Sequence, residues 1–145
     1  MTKLLYRVYP ALINVYTVWL LYMLYFATLR NLDSNRLFEF KTVPFDTMKY
    51  YYFHLTVYHN KIEFTKNIVG NIVLFIPYGF LGILYPRLRN GFWLMLTFFV
   101  MINLVEFSQY YFHRGTADID DIILNTLGVI IGYLIYRNFF FIKDK

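Results

Sequence analysis

Residues 8–29 carry no charged side chain, and that stretch restricts the fold more than any other feature of the chain. A helix rises about 1.5 Å per residue, so roughly twenty residues cross the ~30 Å hydrocarbon core of a bilayer. Three further stretches meet this length, at about 67–86, 91–113 and 120–142. The third holds one acid, Glu106, and the fourth one base, Arg137, whose long stem can carry its charge back to the headgroups. A spanning segment in lipid has to satisfy its own backbone hydrogen bonds, so all four are expected to be helices. The first is too long for a signal-peptide core of about 7–15 residues, and Ala27 lacks a convincing small-residue cleavage pattern. It is expected to stay as an uncleaved anchor. The predicted fold class is an all-α membrane protein: one domain over residues 1–145, a bundle of about four transmembrane helices with an outer interfacial aromatic segment at 30–66.

Composition agrees with a lipid environment. At 59% hydrophobic and 16% charged residues, with a mean hydropathy of +0.44, 145 residues offer too little polar surface to cover a water-soluble globule. The net charge of +5 does not point to nucleic acid, because the basic residues sit between apolar runs and do not gather on one soluble face. The lipid bilayer is the expected partner. The absence of cysteine excludes disulfides, thiolate metal sites and cysteine nucleophiles.

Orientation is read from lysine and arginine in the short flanks of the spans. Lys3 and Arg7, the tight turn with Arg87 and Arg89, and the carboxyl end with Arg137, Lys143 and Lys145 are dense in positive charge and are expected to face the cytoplasm. The first connection also has six basic residues, but they are spread out and mixed with Asp33, Glu39, Asp46 and Glu63, so it is assigned outside. Its Tyr50, Tyr51, Tyr52, Phe53 and Tyr58 suit the headgroup level, either as an anchor lying flat on the leaflet or as a lid over a lateral site.

With this topology the unusual polar residues share one end of the bundle. Asn67 and Asn71 open the second span, Glu106, Gln109 and His113 close the third, and Asp118, Asp120, Asp121 and Asn125 open the fourth, with Arg114 in the turn between the last two. Asn103, Glu106, Tyr110 and His113 recur at helical intervals, as do Asp121, Asn125, Gly128 and Gly132. A polar pocket near the outer leaflet is expected. An acid inside a membrane helix costs a few kcal/mol and is usually paired or faces a wet cavity, and Arg114 is the expected charge partner of Glu106.

The same residues resemble the VanZ-like family of bacterial membrane proteins, named for a teicoplanin-resistance accessory of glycopeptide-resistant bacteria. The resemblance rests on Asn71-Ile-Val-Leu-Phe-Ile-Pro-Tyr-Gly79, Glu106-Phe-Ser-Gln109, Arg114 leading into Asp118-Ile-Asp-Asp121, and Asn125-Thr-Leu-Gly128, in order and at family-like spacing. Val43-Pro44-Phe45 is similar to the family's weaker Pro-Phe element. The resemblance implies a multi-pass protein of the bacterial cell membrane, linked to resistance against glycopeptides. It does not supply a reaction.

Two functional classes fit the residues. In one, Asn71, Glu106, Gln109, Arg114, Asp118, Asp121 and Asn125 bind a cell-wall lipid, its headgroup or a lipoglycopeptide. In the other, Glu106, Arg114, Asp118 and Asp121 form an active site for a phosphate-bearing lipid, with arginine holding phosphate and Glu106, Asp118 and Asp121 as proton carriers or ligands of a divalent metal. Structural roles compete with both: Asp118 or Asp120 can cap the fourth helix, the amides can bond between helices, and Gly128 with Gly132 forms a small-xxx-small packing pair. No calcium-hand, zinc-protease, nucleophile-elbow or phosphate-loop motif is present.

Overall fold

The computed structural model describes residues 2–26, 40–59, 61–112 and 116–141. Helix α1 covers Thr2–Phe26, and a two-residue strand β1, Phe40–Lys41, precedes helix α2 at Asp46–Tyr58. The second span, Lys61–Ile83, is one continuous winding of changing pitch. It starts as α3 (Lys61–Phe64), widens to a π turn (Thr65–Val69), continues as α4 (Gly70–Phe75) and tightens to a 3-10 helix (Ile76–Ile83). Helix α5 is Gly91–Tyr111, and strand β2, Ala117–Asp118, leads into α6 at Ile119–Tyr136, which ends in a π turn at Arg137–Phe141. Four helical stretches are long and apolar enough to cross a membrane. The second begins at Lys61, a turn and a half earlier than the charge-free stretch at 67–86 suggests. Lys61, Glu63 and Lys66 sit on its first turns, where side chains reach the headgroups.

Close contacts give the packing direction of each span. Ile72 meets Gly128 and Ile76 meets Gly132, so the second span and α6 run parallel. Tyr9 and Tyr16 of α1 bond to Pro77 and Leu74, an antiparallel order, and Gly91 meets Tyr133 while Glu106 meets Asp118, which sets α5 against α6. The result is an up-down-up-down bundle. Arg7, Arg87, Arg89 and Arg137 lie at one end, and Glu106 with the Asp118–Asp121 turn at the other.

Glycine makes the closest of these packings. A Cβ at Gly128 would land on the Ile72 carbonyl oxygen, one at Gly132 on the Ile76 carbonyl, and one at Gly79 on the α6 backbone itself. With no hydrophobic drive between helices in lipid, small residues let backbones meet and gain dispersion contacts. Phe75, Leu94, Phe98, Ile102 and Val129 fill the centre with Leu20 of α1.

Pro77 explains the change of pitch. It lacks an N–H and cannot continue the α ladder, and the Ile76 amide closes early on the Val73 carbonyl. Two carbonyls, one just before the tightened winding and one within it, are met from α1: Tyr16 donates to Leu74 at 2.6 Å and Tyr9 to Pro77 at 2.8 Å. Tyr78 in turn donates to the Thr17 hydroxyl at 3.0 Å. Tyrosine hydroxyls thus peg the first span to the irregular one, as broken membrane helices require.

Candidate functional site

Between the second span, α5 and α6 runs a polar seam. Glu106 and Gln109 face inward from the last turns of α5, and Asp120 and Asn125 are buried on α6. Asn71 donates to Asp121 Oδ1 at 2.6 Å, tying the second span to α6. The carboxylates of Glu106, Asp118 and Asp121 lie close enough for their charges to act on one another. The Asp118 backbone amide bonds to the Glu106 carboxylate.

Helix propensity and capping place the aspartates. Asp118 has extended backbone and accepts from the Asp120 amide at 2.9 Å, so it is the N-cap of α6. Its second oxygen accepts from the Thr47 hydroxyl at 2.6 Å. Asp120 is fully buried and reaches across to the start of α2. Its Oδ1 accepts from the Phe45 amide at 2.5 Å and its Oδ2 from the Met48 amide at 2.9 Å. Phe45 has a left-handed backbone, φ 67°, which turns its N–H toward that carboxylate. An acid of one helix therefore caps another, and the positive end of α2 takes the negative charge. The parallel pairing of β1 with β2, Phe40 with Ala117 and Lys41 with Asp118, closes the same joint.

The expected residues do not all converge. Gln109 donates at 2.9 Å to the Leu24 carbonyl at the end of α1, and beside it the Tyr25 and Ser108 hydroxyls share a hydrogen bond. Gln109 thus joins α1 to α5. Asn67 donates to the Glu63 carbonyl of its own helix and Asn103 to that of Phe99, so neither amide enters the seam. Asn125 is 3% exposed, and its Oδ1 has no hydrogen-bond partner among the described residues. His113 and Arg114 lie outside the described residues. Among the described residues, no group of three or more His, Asp or Glu side chains is placed to hold a metal ion.

Sequence reasoning did not single out Lys41 or Thr47. Lys41 is the cation whose charge bears on Asp121, and Thr47 holds Asp118. The available signal was position: both flank the Val43-Pro44-Phe45 element, whose Phe45 amide meets Asp120.

A lateral groove of about 600 Å³ opens beside the seam. Phe99, Val100, Leu104 and Phe107 of α5 and Ile122 of α6 give it apolar walls, while Lys41, Glu106 and Asp118 line its polar part. Phe99, Val100, Leu104 and Phe107 are otherwise exposed, on a face that lipid would cover.

Fold and site together define an integral membrane protein with four spans, a further helix α2 between the first two, and an acid-rich seam at one end of the bundle. The chain belongs to the VanZ/LLP1 family, whose model matches residues 13–142. Over 73 residues it is 32% identical to Protein VanZ of Enterococcus faecium, covering 49% of this chain and 44% of that protein. The match therefore spans less than half of the relative's length. No solved structure matches the chain.

Proposed function

We propose that this protein is a non-catalytic factor of a bacterial cell membrane that binds or shields a cell-wall lipid or its headgroup at the outer leaflet, lowering the access of teicoplanin-type glycopeptides. The observation that carries this reading is the groove, apolar along α5 and polar at Glu106, which has the shape of a site for an amphiphile entering from the bilayer. Membership of the VanZ/LLP1 family supports the link to resistance. Binding is favoured over catalysis by the work the aspartates already do. Of the acids an active site would use, Asp118 has both oxygens taken, by the Asp120 amide and the Thr47 hydroxyl, whereas a proton carrier or metal ligand needs a free oxygen.

The test is teicoplanin susceptibility in a sensitive bacterium expressing the protein or its variants. Glu106→Gln, Asp121→Asn and Arg114→Lys are each expected to abolish protection while the protein still accumulates in the membrane. The first two preserve shape, and the third keeps charge but loses the planar fork. Protection that survives all three substitutions would remove the seam from the function. Metal-dependent turnover of a polyprenyl-phosphate lipid by the purified protein would replace the binding role with an enzymatic one.

A further inference from the structure

Among the described residues, the polar part of the groove sets two carboxylates, Glu106 and Asp118, beside one cation, Lys41. Glu106 meets the Asp118 amide, yet the charges that bear on it among the described residues are those of Asp121 and Asp118, both of its own sign. Asp121, behind the groove's lining, has the Asn71 amide on one oxygen and feels the charge of Lys41. Asn125 adds a buried acceptor without a partner among the described residues, and its direction follows from helical phase. Successive residues of α6 turn by about 100°, so Asn125 lies between Gly128 and Gly132, which touch the second span, and Val129, which packs with Leu94 and Phe98 of α5. Its amide projects into the seam one turn deeper than Asp121. A membrane carboxylate is usually paired, and a buried acceptor is usually satisfied. The complement of two carboxylates and a free amide oxygen is a compact cation with several N–H donors.

We infer that the groove takes an amphiphile whose head carries a protonated primary amine, with the ammonium at Glu106 and the apolar chain along Phe99, Val100 and Phe107. This deepens the binding role proposed above and rests on it. A primary ammonium supplies three donors, enough for Glu106, Asp121 and the Asn125 oxygen. A trimethylated ammonium keeps the charge but has no N–H, and an anionic head would meet carboxylates of its own sign. Lys41, at the groove on the β1 side, is placed to donate to the phosphate of a zwitterionic head.

The test uses the full chain in nanodiscs containing equal amounts of phosphatidylethanolamine, phosphatidylcholine and phosphatidylglycerol with matched chains, with retained lipid read by native mass spectrometry. Phosphatidylethanolamine is expected to be retained about tenfold or more over the other two, the worth of one charge-assisted hydrogen bond. Glu106→Gln is expected to erase the preference. Equal retention of the three lipids, as would follow if Arg114 already occupied the acids, overturns the inference, and so does a preference for phosphatidylglycerol. Should Glu106→Gln fail to accumulate, the wild-type comparison of amine with trimethylated amine decides alone. An amine preference without teicoplanin protection would sink the resistance role and leave this inference standing; protection without amine preference would do the reverse.

Discussion

Asp120 holds the backbone amide of Phe45 at 2.5 Å across 75 residues of sequence, and Phe45 keeps a left-handed backbone, φ 67°, to reach it. A non-glycine residue there carries a cost of about 1–2 kcal/mol, which the charge-assisted bond and its companion to the Met48 amide offset. The joint decides where α2 begins and how the aromatic segment sits against the bundle.

Asp120→Asn should therefore loosen the start of α2 without unfolding the spans. The amide keeps one acceptor oxygen but turns donors toward a backbone N–H, leaving a buried group unsatisfied at about 1–3 kcal/mol. Hydrogen exchange in detergent is expected to speed up at Phe45 and Met48, while exchange within α5 and α6 stays slow. Unchanged protection at both amides would show that α2 is held by something else.

The glycines offer a contrast inside one helix pair. Gly128→Leu and Gly132→Leu place side chains on the Ile72 and Ile76 carbonyls and should prevent the protein from accumulating. Gly70→Ala is expected to be harmless or stabilising by up to about 1 kcal/mol, because its Cβ meets only the Thr65 carbonyl at 3.6 Å and alanine favours the helix. Membrane abundance and detergent melting temperature measure both. Normal abundance of either leucine variant would mean that the stripe lines a cavity.

The spans and the meeting of Asn71, Glu106 and Asp121 were legible in the sequence because both follow from simple periods. A bilayer's thickness sets the length of an apolar run, and alternating helix directions bring the start of the second and fourth spans to the end of the third. The strand pairing at Lys41 and Asp118 was not legible: two residues of extended chain leave no pattern, and their register depends on contacts distant in sequence. The Asp120 cap was hidden for a related reason. A helix N-terminus announces a local cap through the residues just before it, but α2 borrows its cap from α6. Gln109 has the right phase for the seam, yet the Leu24 carbonyl at the end of α1 captures it.

Orientation gives a third prediction. By the positive-inside rule, the concentration of Arg7, Arg87, Arg89 and Arg137 at one end is expected to put that end in the cytoplasm. Single cysteines at Lys41 and Lys61 are expected to react with an impermeant maleimide in intact cells, and a cysteine at Arg87 only after lysis. Labelling at Arg87 in intact cells would invert the protein and move the acid seam to the inner leaflet.

The pegs from α1 give the last prediction. Tyr9 donates to the Pro77 carbonyl inside the 3-10 winding of the second span, and Tyr16 to the Leu74 carbonyl just before it. Removing either hydroxyl leaves an acceptor in a part-buried, low-dielectric place, at about 1 kcal/mol for a neutral bond. Membrane hydrogen bonds between side chains average about 0.6 kcal/mol, so the effect of one substitution is modest. Tyr9→Phe and Tyr16→Phe should each lower the melting temperature slightly. The double variant should lose about the sum of the two, because the hydroxyls meet separate carbonyls about one turn apart along the winding. Phenylalanine keeps the ring that packs against Phe80 or Tyr78, so a loss of stability reports the hydroxyl and not the aromatic contact. Replacing Pro77 with alanine in the Tyr9→Phe, Tyr16→Phe background restores a backbone donor and is expected to recover part of the loss by letting the helix return toward α pitch. If Pro77→Ala recovers nothing there, the 3-10 winding is imposed by the Gly79–Gly132 approach, and proline merely tolerates it.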